Sequence, residues 1–529
     1  VAGEAGAPRL ALLGAGPDAA RVAAGLGYET VHVQPPGGPV AELAEHSGQI
    51  YSVDPGGGGF DGFVDSVLRH LRPHAVVPLT EAGRAPAARA NARLGLPDPP
   101  PAVLRALQDR AGPGSPVGHR RGTDRRRPVL ILNSRPHRWL YRDDRCLVPL
   151  AEVAPHLVTH NYGGVGGLTA TDFPDTAICD LREAAHVARL AEWLIREHGI
   201  RHVVAPNERF VLLAAELRTR HGLPGLSAGT ARLFRDKVAM KAAVAAAGVR
   251  VPRFVPVDRR DDLAGIDWSR PQVLKSRFGV GSMEVHVVTS AADAERTWDA
   301  IDPPPGAYQV EEFVAGAMYH CDAVVRHGTV VFSSVARYLA HPGDYAADHF
   351  GGTMLVPPGP LPERIRAVNA RALAALGLRD GVTHLELFHT PADELVFCEV
   401  AARPAGGGVE RLIRHGHGVD IVESAIRLEC GLDPFTGPPA PVAPDEVWGC
   451  VGIFPNGSAT PVDPGLLARL GVVEHVLSTT AGDGHGRPQH CSDFADLHLL
   501  RAPDEAAFHA NVVALRSAYR AARPMPGPA

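Results

Sequence analysis

Residues 383–408 read THLELFHTPADELVFCEVAARPAGGG, and the organisation of the chain can be worked outward from them. Two apolar runs, His384 to His389 and Leu395 to Val400, flank the turn sequence Thr390-Pro391-Ala392-Asp393. Runs of this length and make-up about such a turn read as an antiparallel hairpin. Each strand carries one carboxylate in an apolar setting, Glu386 and Glu399, and pairing about the turn brings the two onto one face. Like charges inside apolar strands are costly unless a cation lies between them. Mg²⁺ (or Mn²⁺) with nucleotide phosphates is the natural one, because it takes few carboxylates plus phosphate oxygens. Arg403 follows Glu399 by four residues and leads into Pro404 and Gly406 to Gly408, a fixed cation at a backbone bend beside the same phosphates.

Upstream, Gln272 to Lys275 is a short strand ending in lysine, followed by the loop Ser276-Arg277-Phe278-Gly279-Val280-Gly281-Ser282 and a second strand, Val285 to Val288. Such a hairpin can cover polyphosphate, its N–H groups wrapping the oxygens while the ammonium neutralises charge; an ordinary glycine-containing hairpin is the other reading. No Gly-Lys-Ser/Thr tripeptide occurs, which excludes a strand-to-helix P-loop. Tyr308 to Gly316 (YQVEEFVAG) runs an apolar strand through Glu311 and Glu312 into Phe313, Val314 and a glycine turn. It can offer backbone donors and acceptors to an adenine edge, or be a solvated acidic edge. Lys237 to Ala247 has strong helix formers and is closed by Gly248.

Of 53 basic residues only three are lysines, Lys237, Lys241 and Lys275, and they fall within 39 positions. Arginine is the default cation here, so a retained lysine marks a place needing a compact point charge. Lys237 and Lys275 are read that way, and Lys241 is expected on a solvated face.

The 529 residues, 45% hydrophobic and 21% charged, imply three or four packed units. Fifty-three Lys+Arg nearly balance 58 Asp+Glu, so no global field favours nucleic acid or an anionic membrane, and a small-molecule partner is expected. No apolar run approaches the roughly 20 residues that cross a bilayer, and Val1 to Ala11 lacks a basic start followed by an apolar stretch. Seven scattered cysteines without a Cys-x-x-Cys pair exclude a disulfide framework and a zinc knuckle. A cytoplasmic chain is the expectation.

A repeat appears at an offset of 127: His74 to Arg110 aligns without gaps on Arg201 to Lys237, matching Val76/Val203, Val77/Val204, Glu81/Glu208, two Gly-Leu-Pro triplets and Asp109/Asp236. Apolar strands precede each copy, as do Asp54 and Asp180, and the succession of strand and helix is that of parallel α/β units. The expected boundaries are a first α/β unit at 1–110, a Gly/Pro/Arg linker at 111–127, a second α/β unit at 128–236, a nucleotide-binding domain at 237–435 and a closing lobe at 436–529. Gly14-Ala15-Gly16-Pro17 is a weak dinucleotide fingerprint, interrupted by proline, and is read as a structural turn.

Taken together, residues 129–434 resemble the ATP-grasp superfamily, and the ending Ala-Ala-Arg-Pro-Ala-Gly-Gly-Gly resembles its carboxylate–amine ligases, the group of amino-acid ligases and carnosine-synthase-like enzymes. The resemblance implies an α/β and α+β multidomain fold, with an ATP-grasp fold preceded by two Rossmann-like parallel α/β units. It implies that Lys237 and Lys275 hold nucleotide phosphates, that Gly279, Gly281 and Ser282 belong to a mobile lid, and that Glu311, Glu312, Phe313 and Val314 form the adenine-binding connector. Glu386 and Glu399 would be the magnesium ligands, and Arg403 would hold phosphate and the acyl group. The usual Glu-x-Asn-x-Arg ending stands here as Glu399-Val400-Ala401-Ala402-Arg403, and Ser282-Met283-Glu284 replaces the frequent Ser-x-Gly.

The implied reaction is ATP-dependent amide formation from a small carboxylic acid and an amine through an acylphosphate, with ADP and phosphate released. A carboxylase-type or phosphoryl-transferring enzyme and a non-catalytic ATP-binding regulator are the alternatives. Glu208 in the first half, and His349 in the loop Asp344 to Thr353, are candidate substrate selectors beside Arg403. Each has a plain alternative as an uncommitted loop carboxylate and a solvated or core histidine. The duplicated unit is a candidate homodimer surface or second ligand site. Asp483 to Cys491 (DGHGRPQHC) is read as a polar hairpin tip instead of a metal site.

Overall fold

The computed structural model describes residues 7–14, 16–110, 125–161, 171–344, 350–440, 446–454, 462–477 and 492–521. The chain divides into two units, Val1–Gly225 with Glu429–Leu432, and Leu226–Leu428 with Asp433–Ala529.

In the first unit the two repeat copies share one sheet. Strands β1 (Arg9–Leu13), β2 (Glu29–Gln34), β3 (Ile50–Ser52) and β4 (Ala75–Pro78) come from one copy. From the other come β5 (Arg127–Leu132), β8 (Val153–Thr159), β9 (Asp175–Ile178) and β10 (His202–Val204), with a small hairpin of β6 (Tyr141–Arg142) and β7 (Arg145–Cys146) between β5 and β8. The order is β10-β5-β8-β9-β3-β2-β1-β4. Within each half neighbours run parallel, and the halves meet antiparallel where Ile50 faces Ile178 and Tyr51 faces Ala177. Strands covered on both faces need near-continuous apolar runs, which Leu10–Leu13 and Val129–Leu132 supply. One core crosses the seam, with Tyr51, Phe60, Phe63 and Trp193 packed together. Gly14, at φ +73°, donates its N–H to Val33, and Pro17 opens the following helix, so the fingerprint-like stretch is a turn. Most of the expected linker, 111–124, lies outside the described residues.

The second unit holds two further sheets. The smaller is antiparallel, in the order β11 (Phe254–Val257), β14 (Tyr308–Glu312), β12 (Gln272–Ser276), β13 (Val285–Val288). The larger has eight strands: β19 (Leu395–Ala401), β18 (Gly381–His389), β15 (Ala317–Arg326), β16 (Thr329–Tyr338), β17 (Phe350–Leu355), β20 (Val447–Ile453), β22 (Asp496–Ala502) and β21 (Val472–Leu477). Its two faces are set by the period of two along each strand. Tyr319, Cys321, Ala323 and Val325 of β15, with Leu385 and Leu387 of β18, join a core with Met240, Val244, Ile365 and Leu373 from two helices. The alternate residues, His320 and Asp322 with His384 and Glu386, face the other way. The helix Glu505–Ala521 covers β20 and β22 through Phe508, Leu515 and Tyr519. The stretch Asp483 to Cys491 lies outside the described residues. Among the described residues no helix is long and apolar enough to cross a membrane.

Candidate active site

Four elements of the second unit converge on one polar cluster. The helix Lys237–Ala246 is capped by Asp236, which accepts from the N–H of Val238 and Ala239. It turns Lys237, Met240, Lys241 and Val244 to its buried side, the spacing of one helical face. Strand β12 supplies Lys275, which pairs with Gln309 of β14, so Glu311 is its diagonal neighbour on the same face. In the β18–β19 hairpin Glu386 stands directly opposite Glu399, and the register slips just beyond them, a bulge that ends regular pairing at the site.

Ammonium and carboxylate alternate through the cluster. Lys241 Nζ lies 2.7 Å from Glu311 Oε1, and Lys275 Nζ 3.1 Å from Glu311 Oε2. Lys275 and Lys237 lie 3.5 and 3.8 Å from Glu399 Oε2. Burial alone would raise the Glu311 carboxyl, but the two ammonium groups hold it below the usual carboxylate range. Glu399 is held down to about 2 in the same way, by Lys237 and Lys275 against burial. Burial would lower Lys275; Glu311 and Glu399 outweigh it and keep the ammonium above the ordinary lysine range. Lys241 is fully buried, and burial pulls it below that range while Glu311 pulls it back. With Glu311 depressed, we read the 2.7 Å contact as ionic.

Glu386 is held by a different set. Tyr338 donates its hydroxyl to Glu386 Oε1 at 2.5 Å, and His384 Nε2 lies 3.5 Å from the same oxygen. His384 Nδ1 is 2.9 Å from Asp322 Oδ1, and His320 Nδ1 is 2.6 Å from Asp322 Oδ2. Burial opposes a charged His384, yet Asp322 and Glu386 raise it to about 9. Asp322, fully buried, is pushed below the usual carboxylate range by His384 and His320 despite its burial. Burial would raise Glu386, but His384 and Tyr338 lower it against the opposing charge of Glu399. Among the described residues Glu386 Oε2 and Glu399 Oε1 make no hydrogen bond. Two ionised carboxylates in register, each held through one oxygen and open at the other, form a donor set suited to a hard divalent cation.

Lys237, Lys275, Glu311, Glu386 and Glu399 are thus brought together, with the loop after β12. Lys237 Nζ donates to the carbonyl of Gly279 at 2.7 Å. Gly281, Ser282 and Glu284 have φ of +61°, +59° and +57°, and Glu284 therefore occupies a left-handed conformation that glycine adopts at less cost. Glu312 is turned aside, accepting from Arg250 Nη2 at 3.0 Å and from Arg253 N–H at 3.1 Å. Phe313 is exposed and Val314 half-buried. Arg403, half-buried just past β19, donates to the carbonyl of Pro404 at 2.9 Å. Glu208 is in the first unit, half-buried at the start of the turn Glu208–Phe210. His349 lies outside the described residues.

Lys241 corrects the sequence reading: it is fully buried, not solvated. It falls one helical turn after Lys237, the spacing that puts both on one face, and the next apolar positions, Met240 and Val244, mark that face as buried. The His320, Asp322 and His384 group was missed altogether. Its signal was period-two polarity inside apolar strands, His-x-Asp in β15 and His-x-Glu in β18.

No family model matches the chain. The L-arginine-specific L-amino acid ligase of Bacillus subtilis is 25% identical over 324 residues, covering 58% of this chain and 77% of the ligase. Carnosine synthase 1 of Gallus gallus is 28% identical over 305 residues, 52% of this chain but only 32% of that protein. Among solved structures, an L-amino acid ligase from Bacillus licheniformis matches with a TM-score of 0.56 at 18% identity, covering 75% of this chain and 98% of that one. A carboxyaminoimidazole ribonucleotide synthase from Aspergillus clavatus, solved with ATP, matches with a TM-score of 0.57 at 15% identity, covering 75% and 99%. The fold is that of the ATP-grasp proteins. By sequence the chain is similar to an L-amino acid ligase and to a carnosine synthase.

Proposed function

We propose that this protein joins a small carboxylic acid to an amine at the expense of ATP. A substrate carboxylate oxygen attacks the γ-phosphorus and ADP leaves. The amine nitrogen then attacks the acyl carbon, the carbon–oxygen bond to phosphate breaks, and the nitrogen gives up a proton. The observation that carries this reading is the convergence of Lys237, Lys275, Glu386 and Glu399 on one cluster.

In it, Lys237 and Lys275 neutralise phosphate oxygens, a role for which the compact ammonium suits better than a guanidinium fork. Glu386 and Glu399 would hold Mg²⁺, which would supply shielding of the phosphate charge. That charge stabilisation and in-line alignment are the main demands of phosphoryl transfer. The loop from Gly279 through Gly281 to Ser282 closes over the nucleotide and excludes water from the mixed anhydride. The backbone of Glu311 to Val314 takes the adenine edge, and Arg403 binds phosphate and the acyl group. Glu208 and His349 select substrates, and amino acids head the panel because one sequence relative named above is an L-arginine-specific L-amino acid ligase. The seven cysteines without a disulfide pattern support a cytoplasmic setting.

A phosphate-release screen of paired acids and amines with ATP and Mg²⁺ tests the proposal. Release should require both partners, and Glu399→Gln or Lys275→Ala should lower it by at least about 100-fold. ADP formation that needs bicarbonate and no amine, or tight ATP binding without turnover across the panel, would overturn it.

A further inference from the structure

The polar face of the large sheet carries more than two carboxylates. In register, Thr353 of β17 faces Tyr338 of β16, His320 of β15 faces Glu386 of β18, and Asp322 faces His384. Their hydrogen bonds form one chain. The Thr353 hydroxyl lies 3.0 Å from the Arg337 carbonyl and 2.8 Å from His320 Nε2, and His320 Nδ1 donates to Asp322 Oδ2 at 2.6 Å. Tyr338 gives its proton to Glu386, so its oxygen accepts from His384 Nε2 at 3.3 Å, and His384 Nδ1 donates to the free oxygen of Asp322. Both oxygens of Asp322 are used, and the side chain is fully buried. The small Ala401 stands opposite His384.

The same three side chains, His320, Asp322 and His384, have the composition of a metal site. Their hydrogen bonds argue otherwise: the Nδ1 of each imidazole is engaged by Asp322, and each outer nitrogen is engaged by Thr353 or Tyr338. What the chain does fix is one oxygen of Glu386. A glutamate has three torsions and two equivalent oxygens. Locking Oε1 between the tyrosine hydroxyl and the imidazole leaves Oε2 as the only oxygen that can turn to a cation.

We propose that Tyr338, His384, Asp322 and His320 form a positioning relay that orients Glu386 for the divalent cation, with Thr353 as its anchor on β17. The inference rests on the reading that Glu386 and Glu399 bind that cation. Groups behind a metal ligand change affinity by about 10- to 100-fold when removed. Asp322→Asn is the most discriminating change, because it keeps shape and volume but replaces one acceptor oxygen by a donor NH₂, which forces one imidazole to surrender its proton or turn away.

The test is Mn²⁺ binding to the ADP-bound protein, read by electron paramagnetic resonance, with ADP affinity measured separately in EDTA. Asp322→Asn and His384→Gln should each weaken Mn²⁺ about tenfold, and Tyr338→Phe by a smaller factor, while ADP affinity in EDTA stays within about twofold. Tyr338 is half-buried, so its variant keeps the test open if a buried substitution does not fold. Unchanged Mn²⁺ affinity in folded relay variants, with Glu386→Gln and Glu399→Gln abolishing it, overturns the relay alone. Unchanged affinity in Glu386→Gln and Glu399→Gln overturns the cation-binding reading itself. Stoichiometric zinc in the purified protein, lost in Asp322→Asn, overturns the relay in favour of a metal centre.

Discussion

Glu311→Gln is the substitution with the largest expected effect on stability. Glu311 lies between two buried ammonium groups, 2.7 Å from Lys241 and 3.1 Å from Lys275. At an effective dielectric of about 20 the shorter contact corresponds to about 6 kcal/mol of attraction. Most of that offsets the several kcal/mol needed to take each charge out of water. Removing the carboxylate forfeits the attraction and leaves the desolvation. Lys275 keeps Glu399 at 3.5 Å, whereas Lys241 has no other carboxylate in ion-pair contact among the described residues. The cost should be the 3–5 kcal/mol, roughly, of a broken buried pair, seen as a fall of roughly 10 °C in melting temperature. The sign with pH is defined. An unpaired, buried Lys241 has its folded pKa pushed further below its unfolded value, so between the two the unfolded chain binds the extra proton and stability rises with pH, by up to about 1.4 kcal/mol per unit. The deficit of Glu311→Gln against wild type should therefore shrink as pH rises toward about 10. The double variant Lys241→Met/Glu311→Gln should recover much of the loss, because no buried charge is left without its partner at that contact. Thermal and urea unfolding from pH 6 to 9.5 measures all three. A loss under about 1 kcal/mol, independent of pH and unrelieved by Lys241→Met, would refute the reasoning.

Three further outcomes follow from the geometry. His384, raised to about 9, contributes stability that is fully present below its unfolded value near 6.5 and is lost as pH rises through about 9; in urea titrations His384→Gln should remove this loss, worth about 3 kcal/mol between the two limits. Gly408 has φ +87°, and a Cβ there would lie 2.5 Å from Cys450 Sγ and 2.7 Å from Leu497 Cδ2, so Gly408→Ala should destabilise by about 1–3 kcal/mol in the same assay. Lys237→Met removes the 2.7 Å tether to the Gly279 carbonyl, a charge-assisted bond worth roughly 1.5–3 kcal/mol. Without nucleotide, tryptic cleavage at Arg277 should then accelerate about tenfold, and unchanged cleavage would show that this contact does not hold the loop.

Much of this architecture could be read from residue order because the deciding signals are local. The carboxylates 13 positions apart flank a recognisable turn, and a hairpin can only bring them face to face; the structure places Glu386 opposite Glu399. The repeat announced parallel α/β halves, since the apolar runs around Leu12 and Ile131 suit only strands covered on both sides. That the halves pair edge to edge through Ile50 and Ile178 was not legible, because nothing in a strand's own residues names its neighbour in a distant copy. Lys241 was misread by judging it alone instead of as part of a helical face. The relay beneath Glu386 escaped for a related reason. A lone histidine in an apolar strand is ambiguous, and it is the adjacency of β15 and β18, some 60 residues apart in the chain, that lines up His320, Asp322, His384 and Glu386.

The seam of the first unit has a practical corollary. β3 and β9 are only three and four residues long, and each covers the other's backbone polar groups. Severing the chain between the copies and producing either half by itself would leave a raw hydrogen-bonding margin, with Tyr51 or Ala177 stripped of shelter, and such margins recruit other chains. The tandem arrangement therefore works as a built-in safeguard: each copy is the other's chaperone against self-association, and solubility of the pair should far exceed that of either half.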